Sequence, residues 1–340
     1  QGRDRTPHEV GRRLCWAMPS SHRFPVPGPP LAGVVLAFAA VYVIWGSTYL
    51  AIRFAIETIP PFTMAGIRFV VAGGLLLAWA WTRGAPRPSA REVRGAAWVG
   101  VFLLLGGNGA VVWAEQWVPS GLVALLVATV PMFMVLLDGI WGRGARPSLG
   151  VVFGLIWGLV GVALLTGGLG AEVFAEEAVL GGLVVLGGSL SWAAGSVYAR
   201  TARMPASPRM STAVQMLTGG VLLLIAGAVA GEWSRFDLAA VSARSVWALT
   251  YLSVFGAIVA YSAYIWLLGV TSAARVSTYA FVNPVVALLL GWWLAGEPLT
   301  ARTGVAAAII LSAVVSLNRA GGGSRGPREA RSTGEIAKSP

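Results

Sequence analysis

Thiol and imidazole groups are almost missing from this chain. The one cysteine, Cys15, and both histidines, His8 and His22, lie within the first 22 residues, so the apolar body that follows carries neither. That excludes a disulfide framework, a cysteine metal cluster and histidine-based metal or general-base chemistry from the body, and no metal or cofactor is expected. Charge is also scarce: Asp, Glu, Lys and Arg make up 11% of 340 residues, against 56% hydrophobic residues. A chain this apolar is solvated by lipid rather than water. Catalytic patterns are missing as well, with no HExxH, no paired buried aspartates and no histidine to activate a serine in the body. An intramembrane enzyme therefore finds little support.

Ten apolar stretches are present, at 31–52, 60–82, 96–116, 120–141, 149–168, 178–199, 210–230, 246–268, 274–295 and 302–318. Each approaches the ~20 residues that a helix needs to cross a bilayer. The halves repeat each other at an offset of about 150 residues: "WGSTYLAIR" near 45 returns as "WAAGSVYAR" near 192, and "ATVPMFMVLL" near 131 returns as "FVNPVVALLL" near 284. Five spans per copy is an odd number, which turns the second copy upside down, and inverted repeats mark transporters. The expected fold is an all-α polytopic membrane protein. Ten transmembrane helices form two inverted five-helix repeats, residues 31–168 and 178–318, around a central cavity.

The net charge of +11 follows the topology. Of 25 Lys and Arg residues, 20 lie in the tails and alternate loops of one side; Arg53, Arg235, Arg244 and Arg302 lie opposite, and Arg68 lies within a span. By the positive-inside rule both termini are cytoplasmic, and the basic character reports orientation rather than nucleic-acid binding. The first apolar run is full length and is expected to stay as a span rather than be cleaved. Residues 1–30 are rich in Pro and Arg, with Met18 a candidate start, and residues 319–340 lack apolar periodicity. Both tails are expected to be disordered.

Several residues are costly in a membrane unless they have work to do there. Arg68 lies about eight positions, roughly 12 Å, inside its span, where an arginine must reach water or an acceptor. Aligning Pro61 with Pro208 places Gln215 opposite Arg68 in the second repeat. Arg68 suits a carboxylate or phosphate, and Gln215 offers both a donor and an acceptor. Pro131 and Pro284, near the centres of spans 4 and 9, should kink or open their helices and expose backbone carbonyls, either to a cavity beside Asn283 or within ordinary packing. "GGNGA" at 106–110 lacks the lysine of a phosphate loop; its glycines permit close helix approach, and Asn108 is either interhelical glue or a ligand contact.

Trp81, Trp117, Trp141 and Trp247 fit an interfacial belt. Trp45, Trp192, Tyr198, Tyr261, Tyr264 and Tyr279 lie deeper, and about half of these should touch a cavity. Ser47 and Ser196, in the two copies of the repeated segment, complete the candidate substrate contacts. Glu115 is the candidate for proton coupling, although it, Asp138 and Glu297 all lie near span ends. Spans 5 and 10 carry small residues at every fourth position, Gly150, Gly154 and Gly158 against Gly304, Ala308 and Ser312. These stripes should pack the two helices together or form a dimer face.

Trp45-Gly46-Ser47-Thr48, "PPFTMAGIRF" at 60–69, "GNGAVVWAEQWVPSGLVALLVATVP" at 107–131 and "YAFVNPVVALLLGWWLAGEPL" at 279–299 resemble an EamA-domain permease of the drug/metabolite transporter superfamily. The resemblance covers residues 31–318. It implies ten helices, a cavity between the repeats and export of small metabolites or drugs. The protein is expected to be an exporter of small metabolites, amino acids or drugs in the cell's inner membrane, in contact with membrane lipid and either a monomer or a homodimer. It departs from the family at one place: Glu297 follows Pro284 by thirteen residues, whereas thirteen after Pro131 comes Gly144, so Glu297 is expected to serve a helix end. A flippase for a lipid-linked intermediate is the alternative.

Overall fold

A computed structural model describes residues 30–141, 149–166, 176–270, 276 and 279–322. Regular structure among the described residues is entirely helical. The long helices are α1 (Leu31–Ala55), α2 (Pro61–Thr82), α3 (Ala90–Ala114), α4 (Ser120–Val127), α5 (Val130–Trp141), α6 (Leu149–Thr166), α7 (Glu176–Ala199) and α8 (Pro208–Val229). A short α9 (Glu232–Arg235) precedes α10 (Ala243–Val270), α11 (Tyr279–Ala295) and α12 (Ala301–Gly322). Among the described residues, α1, α2, α3, α7, α8 and α10 are long and apolar enough to cross a membrane, and shorter apolar helices accompany them. Only 22% of the most apolar window of α1 is buried, leaving Leu31, Val35 and Leu36 facing outward. Lipid tails are the solvent that such a surface requires.

Helix starts follow local chemistry. Pro61 and Pro208 occupy first-turn positions, where a missing N–H costs nothing. Ser89 and Glu92 form a reciprocal capping box at the start of α3, and the Ser242 hydroxyl accepts from Ser245 N at the start of α10. α8 and α11 end alike, each followed by a glycine with positive φ, Gly231 at 70° and Gly296 at 65°.

Each of these glycines is followed by a glutamate that caps a helix far away in sequence. Glu232 Oε1 accepts from Phe62 N at 3.0 Å, and its Oε2 accepts from Thr63 N and Thr63 Oγ1, both at 2.7 Å. Glu297 Oε1 accepts from Ser120 N at 2.9 Å and Ser120 Oγ at 2.7 Å, and its Oε2 accepts from Gly121 N at 3.2 Å. The two capped helices, α2 and α4, begin behind Pro60 and Pro119, so carboxylates supply the partners that their first N–H groups lack. Gly227 and Gly291 leave the space each carboxylate occupies, since a Cβ at either would collide with it. Glu297 thus serves a helix end, but that of α4 rather than a neighbour in sequence.

Two helices widen into π turns: α3 over Val101–Asn108 and α10 over Leu252–Tyr261. Gly109 N reaches back to Leu104 O, five residues away. Carbonyls in these segments accept from side chains of other helices: Leu252 O from Arg68 Nε at 3.1 Å, Gly256 O from Trp45 Nε1 at 3.2 Å and Phe102 O from Ser191 Oγ at 2.8 Å. The prolines act less evenly. The helix is interrupted by a turn at 128–129, just before Pro131, between α4 and α5, whereas Pro284 sits inside a continuous α11.

α6 and α12 pack along each other, with Trp157 Nε1 donating to Ser312 Oγ at 3.1 Å and Arg302 Nε to Leu164 O at 2.6 Å. Of the α12 small-residue stripe, Ser312 takes part in this contact, whereas Gly304 and Ala308 are exposed. Gly304 has no atom within 4 Å of where its Cβ would stand, whereas Gly158 of α6 meets Met132 and Ala313. The expected tails lie outside the described residues, except for Pro30, which precedes α1, and 319–322, which prolong α12.

Candidate functional site

A cavity of about 670 Å³, part of it open to solvent, lies between the two halves of the chain. The first half contributes Trp45, Thr48, Tyr49 and Ile52 from α1, Arg68 and Phe69 from α2, Leu104, Gly107, Asn108 and Val111 from α3, and Val127 and Val130 beside the α4–α5 break. The second half contributes Gly188, Ser189 and Trp192 from α7, Gly256 and Tyr261 from α10, and Tyr279 from α11.

Aromatic rings form one wall. Trp45 is the hub: its ring centroid lies 5.0 Å from that of Tyr264, 5.4 Å from Tyr279, 5.8 Å from Trp192 and 6.5 Å from Tyr261. Edge-to-face and tilted contacts of this kind fix ring orientation. The hydrogen bond to Gly256 O fixes the Trp45 indole as well.

Arg68 is 3% exposed. Its Nε is held by Leu252 O, and its Cζ lies 4.7 Å from the centroid of Phe69. Its buried Nη1 has no hydrogen-bond partner. Asn108 Oδ1 and Ser189 Oγ, on the same cavity, also lack partners. Trp192 Nε1 lies beside the Tyr264 and Tyr279 hydroxyls but completes a hydrogen bond to neither. A buried polar group without a partner is costly, so a cluster of them around one opening marks a place built for something else to complete.

Of the residues singled out in the sequence, Trp45, Arg68, Asn108, Trp192, Tyr261 and Tyr279 line this cavity. Ser47, Ser196, Gln215, Asn283, Pro131, Pro284 and Glu115 do not. Ser47 Oγ donates to Ile44 O at 2.8 Å and lies 2.6 Å from the Tyr251 hydroxyl, between α1 and α10. Ser196 and Gln215 stand one layer behind: Ser196 Oγ is 3.3 Å from the Tyr264 hydroxyl, and Gln215 Oε1 accepts from Tyr261 OH at 2.6 Å while its Nε2 donates to Ser211 Oγ. With its amide oriented to satisfy both neighbours, Asn283 donates to Tyr42 O and Tyr279 O, tying α11 to α1. Glu115 is fully buried, with both carboxylate oxygens unpartnered, within electrostatic reach of Arg53, Arg68 and Glu297. Sequence reasoning missed Tyr49, Ser189 and Gly256, because no pattern distinguishes a cavity serine or glycine from one that packs helices.

Comparison with known proteins decides the family. The model of the EamA-like transporter family matches this chain twice, over residues 31–167 and 179–319. The chain belongs to that family. It is a membrane transporter with several apolar spanning helices. It is 43% identical over 290 residues to the uncharacterized inner membrane transporter YedA of Escherichia coli K12, covering 84% of this chain and 90% of that one. It is 27% identical over 291 residues to the uncharacterized transporter YvbV of Bacillus subtilis, covering 85% of this chain and 92% of that one. A solved crystal structure superposes with a TM-score of 0.60 over 85% of this chain and 98% of the other, at 20% identity, which supports the fold alone. The two family matches meet between α6 and α7, so the cavity is walled by both.

Proposed function

We propose that this protein exports a small amphipathic solute across the inner membrane by alternating access. Ten spans in two inverted five-helix repeats, with both termini cytoplasmic, would rock about a site at their boundary. The observation that carries the reading is the cavity, since Arg68, Asn108 and Ser189 present unpartnered polar atoms to a space that both family-matched halves enclose. The inner-membrane placement follows the name of the Escherichia coli relative and the bias of basic loop residues to one side. Trp45, Arg68, Asn108, Trp192, Tyr261 and Tyr279 are the proposed contacts. Ser47, Ser196, Gln215 and Asn283 support them from behind, and the break before Pro131 brings Val127 and Val130 to the cavity.

Glu115 is the proposed coupling group, because a fully buried carboxylate with no hydrogen-bond donor is poised to exchange a proton when its surroundings open. The test is uptake by purified protein in liposomes, with amino acids, nucleosides, cationic dyes and a lipid-headgroup reporter, with and without a pH gradient. Movement of a soluble solute, impaired by Arg68→Gln and uncoupled from the gradient by Glu115→Gln, is expected. Headgroup translocation without solute movement would replace the exporter with a flippase.

A further inference from the structure

We propose that the cavity takes a singly charged organic carboxylate with an apolar body and a hydroxyl donor, rather than a zwitterion, a cation or a phosphate ester. This rests on the transport reading above and concerns the chemistry of the same space. Arg68 is the one charged residue among the described residues that line it. Its Nε is already committed to Leu252 O, which leaves one edge of the guanidinium, with an unpartnered Nη1, for an incoming group. A single guanidinium edge matches the two oxygens of one carboxylate and balances one negative charge. A phosphate ester carries up to two negative charges and three terminal oxygens, and one cation with one free edge leaves part of that charge buried and unpaired.

The rest of the wall argues against an ammonium. No carboxylate lines the cavity among the described residues, and the unpartnered acceptors offered are neutral, Asn108 Oδ1 and Ser189 Oγ. Neutral acceptors satisfy a hydroxyl fully but leave a buried positive charge without a counter-ion. The same lining includes Ile52, Phe69, Leu104, Val111 and the Trp45 ring, an apolar enclosure for the solute body.

Four compounds with closely related aromatic bodies test the head group: 3-phenyllactate, L-phenylalanine, 2-phenylethyl phosphate and 3-phenyl-1,2-propanediol. Binding to purified protein is read from intrinsic tryptophan fluorescence, and movement from counterflow in liposomes. Tightest binding and counterflow of phenyllactate are expected, and Arg68→Gln should weaken its binding at least about tenfold, as loss of a hydrogen bond to a charged group does. Should Arg68→Gln fail to fold, Asn108→Ala carries the test, because Asn108 Oδ1 holds no neighbour in place; it should weaken phenyllactate while leaving the deoxy analogue 3-phenylpropanoate unchanged. Preference for phenylalanine, the phosphate ester or the diol overturns the carboxylate assignment. So does movement of a nucleoside or cationic dye from the broader panel without phenyllactate, and in that case the transporter reading stands. Movement of nothing in either panel overturns both.

Discussion

The Tyr261 hydroxyl donates to Gln215 Oε1 at 2.6 Å, and Gln215 is fully buried. The pair joins α10 to α8 behind the cavity wall. Tyr261→Phe should cost about 1–3 kcal/mol by leaving a buried carbonyl oxygen without its donor. Because Gln215→Leu removes the other half of the same bond, the double variant should lose less than the sum of the two. Unfolding followed in detergent measures all three, and strict additivity would show that the bond contributes nothing.

The two carboxylate caps differ in burial, and stability should follow. Glu232 is 5% exposed and Glu297 is half-buried. Replacing either with Gln removes the charge facing a helix N-terminus and turns one acceptor oxygen into a donor that meets N–H groups. A loss of about 1–3 kcal/mol is expected for Glu232→Gln, and less for Glu297→Gln. Thermal unfolding of the detergent-solubilised variants reads the order, and equal losses would show that burial does not set the cost.

Gly256 makes room for the arginine. A Cβ there would stand 2.8 Å from Arg68 Nη2 and 3.0 Å from Thr48 Cγ2. The nearer atom ends a long side chain, so Gly256→Ala should displace the guanidinium rather than unfold the protein. Solute affinity should fall roughly tenfold, the loss of one charge-assisted contact. Titration beside a thermal scan separates the two effects, and an unchanged affinity would place the reactive edge of Arg68 elsewhere.

The α6–α12 contact can be locked. A Cβ on Gly158 would lie 3.3 Å from Ala313 Cβ, close to the separation that a disulfide requires. With Cys15 replaced by Ser, Gly158→Cys with Ala313→Cys should crosslink under mild oxidation. Gly158→Cys with Gly304→Cys should not. A shift in electrophoretic mobility reads the result, and reversed outcomes would mean that α12 is rotated about its axis.

Much of this architecture is legible in the sequence because lipid permits few solutions. A long apolar run crosses a membrane as a helix, so hydropathy alone places α1, α2, α3, α7, α8 and α10. Arg68 is legible for the same reason, since an arginine eight residues inside a span needs a purpose, and six of the ten proposed substrate contacts do line the cavity. What stays hidden depends on partners distant in the chain. Glu297 reads as a helix end, but its capped helix begins 177 residues earlier, and no local pattern names it. Gln215 reads as a mirror of Arg68, yet both ends of its amide are occupied by protein, so it braces Tyr261. The helices carrying the two stripes do pack, but on α12 Gly304 and Ala308 face outward and only Ser312 meets α6, because spacing says which residues share a face and not what that face meets.

Prolines were the expected source of loosened backbone, yet the carbonyls that Arg68 and Trp45 use belong to the wide turn of α10, which contains no proline. A wide turn works like an inserted letter in a coded message: each added residue swings everything after it by about 100° around the axis. Asn108 and Tyr261 are the last residues of the two such turns. Their place on the cavity wall is therefore a matter of phase as much as of composition, and deleting one residue upstream within either turn would carry the same side chain around the helix to face a different neighbour.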